Sequence, residues 1–456
     1  MNGMYLSRSY EVTKLKLILD NISIYRNLLN DEVIKKLSEL LECLNSAKMD
    51  LGEFVNKYND FFFELGSKPI LSLKDYIIDK IIFDENPFSL RIESKDLSQS
   101  KVFIENAVKS DLDHLMLAGE VNSRVIKSYA IEHFNESEFE TKVIKNLPEW
   151  QVGSNHNYDN CSEHLKSIRN TFAKSDQWSN CFKELSEFYK KYGCGMFSKF
   201  RAFTWERLSN SSSLRGIDNP DPIILSDLIG YELEREIIVE NTLQFINSFP
   251  ANNMLLYGDR GTGKSSTVKA LLNEYYDKGL RIIEIPKEYL ADFPDVIRLL
   301  KGKPHKFIIF IDDLTFEDGE VGYASLKAVL EGSLESKPKN VLIYATSNRR
   351  HLVKEYFHER QGLQSGNRYE EVHASDSIQE KLSLADRFGI TVVFSAPSQN
   401  EYLEIVEGIV ENRSLKIDKE ELHREALKWE KRHNGRSART ARQFVDWLEG
   451  QIGMNK

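Results

Sequence analysis

The sequence predicts an α/β fold: a five-stranded parallel sheet between helices, followed by a small C-terminal helical lid and preceded by a mostly α-helical N-terminal region. Three observations point there. Apolar residues in the first half recur at helical spacing, residues 223–396 alternate short apolar runs with amphipathic segments, and from Ser398 onward helical segments follow one another without strands. A chain of 456 residues also exceeds what one hydrophobic core ordinarily serves, so more than one domain is expected. The expected divisions are a helical region over 1–208, a linker over 209–222, the sheet domain over 223–396 and the helical lid over 397–456.

The helical reading of the first region rests on stripes such as Val33, Leu37, Leu40, Leu41 and Leu44, which fall at i, i+4, i+7, i+8 and i+11 on one face. Polar breaks such as residues 153–160 interrupt it. Leu208-Ser-Asn-Ser-Ser-Ser213 and Asp218-Asn-Pro-Asp-Pro222 then carry the most linker-like composition in the chain. His156, Cys161 and His164 lie close together, but their spacing is not that of a zinc site, and no metal is assigned to them. The aromatic runs Phe61-Phe-Phe63 and Phe197-Ser-Lys-Phe-Arg-Ala-Phe-Thr-Trp205 are expected in packing, with base stacking as the competing reading.

The five strands expected in the sheet are Met254 to Tyr257, Leu280 to Ile285, Phe307 to Ile311, Val341 to Thr346 and Ile390 to Phe394. All are apolar or nearly so, as strands buried on both faces should be. Directly after the first comes Gly258-Asp259-Arg260-Gly261-Thr262-Gly263-Lys264-Ser265-Ser266, which fits G-x-x-x-x-G-K-[ST] between a strand and a helix. Its glycines let backbone N–H groups close around phosphate oxygens, the following helix adds its positive end, and Lys264 brings a charge to the β and γ phosphates. Ser265 is the expected Mg²⁺ ligand, and ATP or GTP the expected ligand class. The third strand ends in Asp312-Asp313 at the carboxyl edge of the sheet, where open α/β sheets bind ligands. Asp312 is the candidate for orienting Mg²⁺ and Asp313 for general base toward the attacking water.

On these motifs the chain resembles an AAA+ ATPase, a P-loop NTPase type, and the resemblance assigns further roles. Ser347-Asn348-Arg349 at the end of the fourth strand is similar to sensor 1, so Asn348 would help Asp313 position water. Leu384-Ala-Asp-Arg-Phe-Gly389 resembles the arginine-finger box, which implies that Arg387 reaches a neighbouring subunit's nucleotide and that the protein is a homo-oligomer. Gly435-Arg-Ser-Ala-Arg-Thr-Ala-Arg442 resembles sensor 2, with Arg439 the choice and Arg442 the fallback. Asp227-Leu-Ile-Gly-Tyr231 resembles the segment bordering adenine, which puts Ile229 and Tyr231 near the base. A closer resemblance is to a bacterial AAA+ family catalogued only as a domain of unknown function, number eight hundred and fifteen. It rests on Asn253 to Lys264, Phe310-Ile-Asp-Asp-Leu314 with Phe316-Glu317, and Glu380 to Gly389, and it spans about residues 190–450, including Tyr192-Gly-Cys-Gly195 and Arg201-Ala-Phe203. Two features depart from the general pattern. Asp313 stands where Glu is usual, as in replication initiators and helicase loaders, and the stretch between Asn348 and Arg387, with its polar run over 360–369, is long.

Composition narrows the partners. Net charge is −9, and none of the spans 1–215, 216–395 and 396–456 has more Lys and Arg than Asp and Glu, so nucleic acid is not favoured by charge. The 4 cysteines form no CxxC pair, no apolar run approaches a membrane span, and Met1 to Tyr10 has no signal-peptide core, so a cytoplasmic location and no membrane partner are expected. The function expected is an ATPase that binds and hydrolyses Mg·ATP as an oligomer and acts on an unidentified protein or nucleoprotein partner. The alternatives are a slow ATP-gated binding module and a nucleic-acid-acting ATPase.

Overall fold

The computed structural model describes residues 14–454 except 47–48, 70–71, 94–100, 135–136, 151–161, 209–210, 316–320, 332–337, 349–386 and 434. The polar run at 360–369, Arg349, Phe316-Glu317, His156 and Cys161 therefore lie outside the described residues. The chain divides into two units, Met1–Lys199 and Phe200–Lys456.

The first unit is helical among its described residues. Its helices Glu32–Leu44, Leu51–Gly66, Leu73–Phe83, Lys101–Gly119, Ser123–His133, Glu163–Lys174 and Phe182–Tyr192 surround one apolar core. The predicted stripe from Val33 to Leu44 is buried to 1% exposure or less. Helix starts follow their caps: Asp31 accepts from the N–H groups of Val33 and Ile34, and Asp50 from that of Glu53. The buried Asp111 carboxylate accepts from the N–H groups of Ser23, Ile24 and Tyr25, which satisfies its charge inside the unit. His164 stacks on Tyr192, with ring centroids 4.1 Å apart. Phe61 is fully buried, Phe62 packs against the core half-buried and Phe63 is 72% exposed, so the expected packing holds for the first two of the three rings.

The second unit is built on a seven-stranded sheet. The strands are β1 (Ala202–Leu208), β2 (Ser211–Ile217), β3 (Met254–Gly258), β4 (Leu280–Glu284), β5 (Lys306–Ile311), β6 (Val341–Ser347) and β7 (Ile390–Phe394), in the order β2-β1-β4-β5-β6-β3-β7. All neighbours are parallel except β1 and β2. The five expected strands are present. β1 closes the region expected to be mostly helical over 1–208, and β2 corrects the reading of 209–222 as linker. The physical reason is that an edge strand is held by backbone bonds to one neighbour and needs no apolar face, so a Ser-rich stretch can serve. A carboxylate fastens this hairpin. Asp292 accepts from Trp205 Nε1 at 3.0 Å, Ser212 Oγ at 2.9 Å and Arg207 at 2.6 Å.

The lid comprises helices Gln399–Asn412, Lys419–Arg432 and Ala438–Met454 around a core of its own that includes Tyr402, Ile405, Ala441, Phe444 and Val445. Asp418 caps the second helix, accepting from the N–H groups of Glu420 and Glu421, and the Glu421 side chain faces Arg424 at 3.8 Å. The reciprocal capping box forms at Ser398 and Glu401. Among the described residues no helix is long and apolar enough to cross a membrane.

Candidate functional site

β3 lies between β6 and β7 and delivers the glycine-rich loop to the carboxyl edge of the sheet. Gly258 has φ 138°, and a Cβ there would lie 2.0 Å from the Phe394 carbonyl, so only glycine permits the loop to leave the strand beside β7. The helix Lys264–Tyr275 follows, with its first amides directed at the loop. Lys264 is buried. Its Nζ donates to the carbonyls of Gly258 at 3.0 Å and Asp259 at 2.6 Å. Burial pushes the Lys264 ammonium below the usual lysine range, the carboxylates of Asp259, Asp313 and Asp312 oppose that, and the charge of Arg439 adds to it.

The two acids come from the end of β5. Asp312 Oδ1 accepts from Ser265 Oγ at 2.6 Å and from Thr346 Oγ1 at 2.5 Å, so loop, β5 and β6 meet at one carboxylate. Asp313 has φ 51°, a left-handed backbone held by the bond from its N–H to Thr346 Oγ1 at 3.0 Å. Asn348 Nδ2 donates to Asp313 Oδ1 at 2.7 Å. The structure thus brings Ser265 beside Asp312 and Asn348 beside Asp313.

These groups line a cavity of 830 Å³ between sheet and lid. Of the residues expected there, Ile229, Arg260, Gly261, Thr262, Gly263, Lys264, Ser265, Ser266, Asp312, Asp313, Asn348, Arg439 and Arg442 form its wall. Gly258, Asp259 and Tyr231 do not line it. Tyr231 instead packs on Phe394 at 5.3 Å and donates its hydroxyl to the Ser395 carbonyl at 2.7 Å, because its left-handed backbone turns the ring toward the junction of sheet and lid. Arg387 is half-buried just before β7 and is also absent from this wall. The lid closes the cavity through its last helix. The Arg439 N–H donates to the Gly261 carbonyl at 2.9 Å, and Ser437 Oγ accepts from the Thr440 N–H at 3.0 Å.

Thr346, Arg235, Ile405, Ile409, Gln443 and Asp446 also line the cavity and were not expected from sequence. Thr346 had a signal, a hydroxyl near the carboxyl end of a buried strand one place from the sensor-like turn. The lid residues had none, because their approach to the loop is a tertiary contact. Arg235 sits half-buried beside Glu232 at 3.2 Å, and burial pulls it below the usual arginine range against the Glu232 charge. Ser265 and Asp312 offer the hydroxyl and carboxylate oxygens that a hard divalent cation takes, so the residues fit Mg²⁺. In the aromatic-basic run Phe197, Phe203 and Trp205 are buried to 5% exposure or less, which leaves those three rings unable to stack on bases.

The sequence profile of the family described as "Protein of unknown function (DUF815)" matches residues 198–452. No curated protein matches the chain. Among solved structures it is similar to two variants of Thermotoga maritima RuvB, each at 15% identity, with TM-scores of 0.35 and 0.36. The similarity covers 51% of this chain and 66% and 67% of those, so the chain spans just under two thirds of the first. A third, described as the Thermotoga maritima RuvB Holliday junction branch migration motor, has 13% identity and a TM-score of 0.31, with coverage of 50% of this chain and 72% of that one.

Proposed function

The chain belongs to the family of unknown function DUF815, and on that premise we propose that it is an AAA+ type ATPase that binds and hydrolyses Mg·ATP as an oligomer and couples this to conformational change on an unidentified protein or nucleoprotein partner. One observation carries the reading. Lys264, Ser265, Asp312, Asp313, Asn348 and Arg439 line a single cavity at the carboxyl edge of a parallel sheet, with Ser265 bonded to Asp312 and Asn348 to Asp313.

The loop amides and Lys264 bind the phosphates, and the apolar Ile229, Ile405 and Ile409 take the base end of the same cavity. Ser265 and Asp312 hold Mg²⁺, which when bound neutralises phosphate charge. Asn348 fixes one oxygen of Asp313, leaving the other to accept a proton from the attacking water. Arg439, anchored to the loop through its backbone, presents its guanidinium to the γ-phosphate from the lid. Arg387 serves a neighbouring subunit.

The test is steady-state ATP hydrolysis against protein concentration for wild type, Lys264→Ala and Arg387→Ala. A specific rate that rises with concentration, collapses in Arg387→Ala and vanishes in Lys264→Ala is expected. Wild-type turnover in Lys264→Ala refutes the site. The short Asp313 side chain, held by Asn348, favours a second reading as a slow ATP-gated binding module. A near-zero rate at every concentration with tight ATP binding would establish that instead.

A further inference from the structure

A carboxylate in a loop that cradles a triphosphate repels its ligand, so Asp259, the second residue of the loop, calls for a reason. Its side chain turns away from the cavity. Asp259 Oδ2 accepts from the Ala396 N–H at 2.7 Å, and the Asp259 N–H donates to the Phe394 carbonyl at 2.9 Å. Tyr231 holds the residue between these two, through its hydroxyl to the Ser395 carbonyl. Two positions after Ala396, Ser398 caps the first lid helix. Residues 394–396 are therefore the root of the lid, and Asp259 grips them from the loop.

The other end of the same residue faces the cavity chemistry. The Asp259 carbonyl accepts from Lys264 Nζ at 2.6 Å and from Thr262 Oγ1 at 2.9 Å. A phosphate that draws the Lys264 ammonium competes with this bond, and the freed peptide can rotate. Its carboxylate then carries Ala396 with it. A second bond, from the Arg439 N–H to the Gly261 carbonyl, joins the loop to the far end of the lid. The lid is thus rooted on the loop at two places, as a hinge that senses loop conformation requires.

We propose that Asp259 is a positioning residue that latches the phosphate loop to the lid hinge and passes nucleotide occupancy from Lys264 to the lid. This rests on the cavity being a nucleotide site. The carboxylate is what the latch needs, because a charged acceptor makes the stronger bond to an exposed backbone N–H.

The experiment is amide hydrogen exchange of the full chain over residues 394–400, with and without ATP, for wild type, Asp259→Ala and Asp259→Asn, alongside ATP affinity and steady-state kinetics. In Asp259→Ala the exchange of the Ala396 amide should rise about ten- to a hundredfold without nucleotide, as expected for loss of a charge-assisted bond. The ATP-dependent change in the segment should disappear. kcat should fall while KM stays within about threefold of wild type, because loop and Lys264 are intact. Asp259→Asn, which keeps an acceptor oxygen, should restore part of the protection and of the ATP response, and it carries the test if the alanine variant does not fold. An Ala396 amide equally protected in all three chains, or an undiminished ATP response in Asp259→Ala, overturns the latch. A wild-type chain that binds no ATP overturns the underlying nucleotide reading separately, because protection without nucleotide is measured independently.

Discussion

Replacing Thr346 by valine removes one hydroxyl while keeping the shape of the side chain, and that hydroxyl serves both acids of the site. Thr346 is 2% exposed, donates to Asp312 at 2.5 Å and accepts from the Asp313 N–H at 3.0 Å. A bond to a charged carboxylate contributes about 1.5–3 kcal/mol, and stranding a partly buried backbone N–H costs about 1 kcal/mol more. The sum, about 3 kcal/mol, corresponds to a fall of roughly 6–12 °C in the unfolding midpoint of a unit of this size. Thr346→Ser keeps the hydroxyl and loses one methyl, about 0.8 kcal/mol, so it separates the polar contribution from packing. Differential scanning calorimetry of the full chain reads the transition of the second unit, and ATP turnover read beside it should fall in the valine variant only, because Asp313 loses the bond that holds its left-handed backbone. A valine midpoint within about 1 °C of wild type, or no lower than that of Thr346→Ser, would refute the argument.

Asp31 tests the first unit. Burial raises its pKa, but hydrogen bonds and charge from Lys80 and Tyr76 outweigh this and hold the carboxyl below its ordinary 3.8. A carboxylate with a depressed folded pKa contributes stability above its ordinary value and loses it as pH falls through the folded one. Asp31→Asn should therefore destabilise by about 1–2 kcal/mol in urea at pH 7, with the gap closing below about pH 4; a pH-independent gap would contradict the linkage. Gly261 has φ 76°, and a Cβ there meets Arg439 Cβ and Ser437 Oγ, each at 3.0 Å. Gly261→Ala should cost about 1–2 kcal/mol and push lid from loop, seen as a lowered melting midpoint with weakened ATP binding; unchanged affinity would count against the lid contact. Arg439→Ala should lower kcat about ten- to a hundredfold and Arg442→Ala less than about threefold, and the reverse order in steady-state kinetics would move the sensor role to Arg442.

How much of this was legible beforehand follows the range of the forces involved. The strands β3, β4, β5 and β6 were readable because interior strands covered on both faces are largely apolar. β7, at the sheet edge, buries Val392 and Phe394 and exposes Thr391 and Val393, and was readable from its β-branched and aromatic run alone. The hairpin of β1 and β2 was not, because a Ser-rich edge strand is specified by its neighbours' backbone and by the distant Asp292. Lys264, Ser265 and Asp312 were readable because phosphate and cation chemistry restrict residue type and local spacing. Ile405 and Ile409 from the first lid helix and Arg235 from the helix Glu232–Ile246 reach the same cavity and have no such local signature.

Asp259 and Tyr231 show the boundary most clearly. Both sit in segments whose spacing places them near the cavity, yet both side chains turn to the junction with the lid, where Ser395 and Ala396 present backbone groups to them. Local sequence marks a loop as a candidate phosphate cradle, since the spacing that this chemistry needs spans a few residues. Thr262 and Lys264 turn to carbonyls of the loop itself, but the direction of the Asp259 side chain depends on a hydrogen-bond partner more than 130 positions away, brought within reach only when sheet and lid have packed.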